Sequence, residues 1–63
     1  GIEMNVSNLK FNTCGLADTM LSYYDTMKEN GMSKYELDKV MEAYNLIVEL
    51  NQKYVKLSKE ESK

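Results

Sequence analysis

The run Asn30-Gly31-Met32-Ser33-Lys34-Tyr35-Glu36 constrains this chain more than any other feature, because it ends one amphipathic segment and starts a second, longer one. Asn30 and Gly31 tolerate the left-handed backbone that closes a helix, and Ser33 with Glu36 has the S-x-x-E spacing of a reciprocal N-terminal cap. Two helices joined by a tight turn are the expected framework.

From Leu16 the apolar positions Leu16, Met20, Tyr23 and Met27 advance by four, three and four, which puts them on one helical stripe that Leu21 and Tyr24 widen. Asp18 near the start and Lys28 near the end agree with the helix dipole. The first helix is expected over about residues 13–30, capped by Asn12 or Thr13, with Gly15 weakening its first turn so that its start slips towards Leu16. Residues 1–12 form an arm of undecided periodicity. Val6, Leu9 and Phe11 suit a short extended segment as single anchors, while Ile2, Val6 and Leu9 also have helical spacing.

The second helix is expected over about residues 33–58. Its main face carries Leu37, Val40, Met41, Tyr44, Ile47, Val48, Tyr54 and Val55, and Leu46, Leu50 and Leu57 add a flank. Around Leu46 to Leu50 it is apolar over more than one seam, so a second chain or the N-terminal arm must cover it. In heptads, Leu37, Tyr44 and Asn51 share one core position and Val40, Ile47 and Tyr54 the other. Asn51 at a core position lowers stability yet can fix register and strand number; at the edge of the stripe it is merely solvated. Glu49 and Lys53 form an i,i+4 pair, the lysines Lys53, Lys56, Lys59 and Lys63 suit a helix C-terminus, and residues 59–63 are expected to fray.

A 63-residue chain forms one domain at most and buries only about 60% of the surface its unfolded form exposes. It needs a staple or a partner. Cys14 is the single cysteine and histidine is absent, so an internal disulfide and a structural zinc site are both excluded, and oligomerisation remains. The fold class expected is all-α, a two-helix antiparallel hairpin with an N-terminal arm, assembling as a helical dimer. Leu37, Val40, Tyr44, Ile47, Leu50, Asn51 and Tyr54 are its expected interface.

The eight cationic residues are all lysines against ten carboxylates, giving a net charge of −2, so the chain offers no planar fork for guanine or phosphate and no generally basic surface. No apolar run approaches a membrane span and the N-terminus lacks a signal-peptide pattern, which makes the cytoplasm the expected location. Cys14 has no histidine to activate it. The carboxylates Asp18, Asp25, Glu36, Asp38, Glu42 and Glu49 alternate with lysines and lack the Glu-x-x-His pattern of bundle metal sites. No catalytic, cofactor or metal residue is expected.

Arm, helix, Asn30-Gly31-Met32-Ser33, then Glu36-Leu37 and Val40-Met41 is an order that resembles small ribbon-helix-helix DNA-binding regulators. That resemblance implies a homodimer whose arms pair as a ribbon in the major groove, with Asn5, Ser7 and Lys10 facing bases and the amides of Ser33 and Lys34 on the phosphate backbone. The segment Ser33-Lys34-Tyr35-Glu36-Leu37-Asp38 is similar to the Ser-Gln-Glu-Leu-Asp signature of the sporulation-control aspartyl-phosphate phosphatases, one residue longer, and would make Asp38 the acidic residue that matters. Richness in Asn, Lys, Tyr and Met fits an AT-rich genome, and a helical module of this size resembles accessory regulators of phages and plasmids. The function expected from all this is a non-enzymatic regulator that self-associates and binds a partner protein; the alternative is a DNA-binding regulator.

Overall fold

The computed structural model describes residues 4–61, which form α1 (Val6–Glu29) and α2 (Lys34–Glu61) packed against each other as an antiparallel hairpin, with no strand among the described residues. The arm is therefore helical from Val6 onward, which moves the start of the first helix from about residue 13 to residue 6. Ile2 lies outside the described residues. Asn5 is the cap, its Oδ1 accepting from the backbone N–H of Asn8 at 3.0 Å. Thr13, expected as a cap, sits mid-helix and donates its hydroxyl to the carbonyls of Leu9 (2.8 Å) and Lys10 (3.2 Å). Thr19 and Ser22 bond back in the same way to Gly15 and Asp18, which satisfies these hydroxyls inside a helix whose residues favour other conformations. Packing of Val6 against α2, rather than local preference, carries the helix back to Asn5. At the other end α2 runs to Glu61, so residues 59–61 of the expected tail are helical; Ser62 and Lys63 lie outside the described residues.

The turn has the chemistry expected of it. Gly31 takes φ 97°, and the N–H groups of Gly31 and Met32 donate to the carbonyls of Lys28 and Met27, both at 3.1 Å, which is the paired bonding of a glycine-closed helix end. Across the turn, Ser33 Oγ accepts from the Glu36 N–H at 3.2 Å while Glu36 Oε1 accepts from the Ser33 N–H at 3.0 Å and from the Ser33 hydroxyl at 2.9 Å. These bonds, the backbone one first, hold the Glu36 carboxyl below its ordinary pKa. Met32 and Leu37 have the spacing of a hydrophobic staple, and Leu37 is buried.

The contact seam of α1 runs through Val6, Lys10, Thr13, Ala17, Met20, Tyr24 and Met27, a four-three alternation of buried or half-buried residues. Leu16, Leu21 and Tyr23, expected on the apolar stripe, are exposed instead. Leu37, Met41, Tyr44, Val48, Asn51 and Val55 form the facing seam on α2. Where the seams cross at Asn51, its Nδ2 donates to the Lys10 carbonyl (2.8 Å) and to Thr13 Oγ1 (3.0 Å). Asn51 is thus neither solvated nor free for a partner chain; it joins the two helices of one hairpin and sets their register. Among the described residues only Val6, Ala17 and Leu37 are buried, and no described side chain is fully enclosed.

Four outcomes follow from these contacts. Ser33→Ala should cost about 0.5–2 kcal/mol in chemical denaturation, and Gly31→Val about 1–2 kcal/mol or more because a β-branched residue must take the left-handed backbone. Open space around Gly31 makes that second cost purely conformational. Because the folded-state pKa of Glu36 is depressed, its contribution is present above the unfolded value and lost as pH falls through the folded one. Wild type should therefore lose more stability on acidification through the carboxylate range than Glu36→Gln, read as the difference between their pH-stability curves. Asn51→Asp, which swaps the donor for a charged acceptor facing a carbonyl, should cost about 1–3 kcal/mol, more than Asn51→Ala, and should recover stability at low pH as the new carboxyl protonates; equal melting temperatures for the two variants would contradict the assigned bonds.

Candidate interaction face

Two helices side by side make a single layer, and the molecule measures 47 × 24 × 14 Å with a radius of gyration of 14.6 Å, against about 10–11 Å for a compact domain of this length. Its accessible surface is 5165 Å², about 1,000 Å² more than a compact monomer of this mass exposes. Part of the excess lies on one face, while Met4, Phe11, Leu21 and Tyr35 are exposed elsewhere. Positions four and three apart on a helix share a face, and beside the seam of α1 this rule groups Leu16 and Tyr23 with the seam residues Met20 and Met27. On α2 it groups Val40, Ala43, Ile47, Leu50, Tyr54 and Leu57, with Leu46 beside them. Because the helices run antiparallel, these two flanks lie on the same side of the layer.

A groove of ≈ 540 Å³ shows that they do meet there: Met20, Tyr23 and Met27 form one wall, Val40 and Ala43 the other, and Thr19 and Lys39 stand at the rim. Ala43 is the smallest side chain on its flank and leaves the groove its depth. Towards the open end of the hairpin the groove gives way to a leucine ridge, with Leu46 61% and Leu50 44% exposed; Tyr23 and Leu16 are 58% and 49% exposed on the α1 side. The acids and lysines keep to the edges. Lys39 pairs with Glu42 at 3.6 Å and sits 5.3 Å from the centre of the Tyr35 ring, while Lys53 lies 5.8 Å from the Tyr54 ring rather than on Glu49. The first of these pairs is an exposed i,i+3 contact that contributes little by itself.

The residues expected at an oligomer interface divide into two sets. Leu37, Tyr44 and Asn51 turn towards α1 and are spent inside the hairpin, whereas Val40, Ile47 and Tyr54 stand half-buried at the boundary and Leu50 opens onto the face. Leu16, Tyr23 and Ala43 belong to the face and were not expected there. Their spacing is readable once the seam is placed through Thr13 and Ala17, two residues too small or too polar to announce a core. Of the residues implied for DNA contact, Asn5 and Ser33 are occupied as helix caps, Ser7 is exposed on α1, Lys10 lends its carbonyl to Asn51 and Lys34 opens α2. α1 is about 36 Å long at 1.5 Å per residue, so Asn5 and Ser7 lie at the opposite end of the hairpin from Ser33 and Lys34.

Asp38 is exposed in the second turn of α2, and Cys14 is exposed on α1. Among the described residues no three of His, Cys, Asp and Glu gather as a metal would require, and no helix is long and apolar enough to cross a membrane. What this geometry offers chemically is area: a continuous apolar surface framed by charge. In comparisons with known proteins, the chain matches no family model, no curated protein and no solved structure.

Proposed function

We propose that this chain is a small non-enzymatic regulatory module of the kind carried by phages and plasmids, which self-associates and acts by binding a partner protein. The observation that supports this reading is the apolar face on one side of a single helical layer, where Leu16, Tyr23, Leu46 and Leu50 are exposed. Monomeric domains rarely leave a contiguous apolar surface of this size open, and in a regulator such a surface serves association. An enzyme needs converging polar groups in a pocket; the groove here is walled by methionine, tyrosine, valine and alanine. The ribbon-based DNA reading needs an extended arm, and residues 6–12 are helical.

Titration into mixed-sequence duplex DNA at two salt concentrations separates the two kinds of regulator. A protein-binding module with a net charge of −2 should show no association beyond weak, sequence-independent binding even at low salt. Steep salt dependence together with selection of one duplex from a random pool would overturn the proposal, because phosphate neutralisation releases counterions and base contacts discriminate between sequences. Leu46→Lys and Tyr23→Lys, which touch neither seam, should abolish partner binding or self-association while Phe11→Ser, on the far side of α1, spares at least the self-association.

A further inference from the structure

We propose that the occupant of the apolar face is a second copy of this chain, turned antiparallel about a two-fold axis that passes near Leu46 and Ile47, so that two hairpins stack as a four-helix bundle. This rests on the reading of the chain as an association module and names the first thing it associates with. Two observations carry it.

The first is area. The protomer exposes about 1,000 Å² beyond what its mass predicts, and a standard interface removes about 800 Å² from each partner, so one copy on this face brings the molecule close to ordinary compactness. The layer is 14 Å thick, and a second layer is what a domain normally requires to enclose a core.

The second is self-complementary shape. Ala43, at the floor of the groove, and Leu50, on the ridge, are seven residues apart on α2, about 10.5 Å along its axis. An axis midway between them carries the Leu50 of each copy into the other's groove, and the contact is made twice. That reciprocity is what an isologous interface demands and what an unrelated partner would not need.

Sedimentation equilibrium of the full chain should give twice the monomer mass at micromolar concentrations. Ala43→Leu, which fills the notch, and Leu50→Lys, on the ridge, should each dimerise at least tenfold more weakly. Both positions lie outside the hairpin seam, so circular dichroism should show the variants still helical. Leu46→Lys, at the axis, should yield a monomer of reduced melting temperature, whereas Phe11→Ser should leave the dimer intact. A wild type that stays monomeric at hundreds of micromolar overturns the proposal, and so does a dimer indifferent to all these changes. A monomer that also ignores duplex DNA leaves the association reading standing with a different partner, while sequence-selective duplex binding removes that reading itself.

Discussion

Two parallel cylinders touch along one line, and the residues on that line decide the role of every other residue in a two-helix protein. Here the line is fixed at one end by the Gly31 turn and in its distal half by the bonds from Asn51 to Lys10 and Thr13. A slip of one turn in either helix would leave the Asn51 amide without acceptors in a half-buried site, and unmade bonds of that kind cost more than made ones contribute. With the register held, Val6, Ala17 and Leu37 go inside, and Leu16, Tyr23, Leu46 and Leu50 go outside. The exposed apolar face is thus a consequence of the seam, since a line of contact has no room for both stripes of α2.

The same logic explains which parts of the fold could be read from the residues and which could not. The turn was legible because its signals are local: glycine for a positive φ, serine and glutamate for mutual capping, all within seven positions. α2 was legible because Lys, Glu, Leu and Met favour helix and its apolar spacing persists for 28 residues, past the boundary expected at Ser58. The first half of α1 was not. Asn8, Asn12, Thr13 and Gly15 each weaken a helix, and what overrides them is contact with a segment some forty positions away, as the Asn51–Thr13 bond shows. The misplaced stripe has a related cause. Leucine and tyrosine at 16 and 23 are the more conspicuous apolar residues, but the close approach of two helices favours small side chains, so Ala17 lies in the seam and the large residues flank it.

That exchange also reshapes the candidate site. In place of the interface expected on α2 alone stands an apolar face shared by both helices; three of the seven expected residues serve the hairpin, and Leu16, Tyr23 and Ala43 join the other four. Nothing local marks Ala43 as functional. Its meaning comes from position: a small residue amid leucine, isoleucine and tyrosine is a notch only when its helix is laid beside another. Sequence periodicity can show that α2 has more apolar surface than one partner helix covers, and it did; how that surface is divided between intramolecular and intermolecular contact depends on where α1 lies.

Apolar contact and rim charge contribute different things to such a face. Burying leucine and tyrosine is favourable in almost any orientation, so the face alone supplies strength with little direction. Charges at the edge reverse that balance: exposed pairs such as Lys39 and Glu42 add little energy, yet opposing like charges at a rim is costly enough to exclude an orientation. A chain with a methionine- and leucine-rich face but unordered rim charges would be expected to associate promiscuously. In the proposed dimer the groove and ridge set the offset instead, because seating a leucine over an alanine at both ends of a symmetric contact requires one separation along α2.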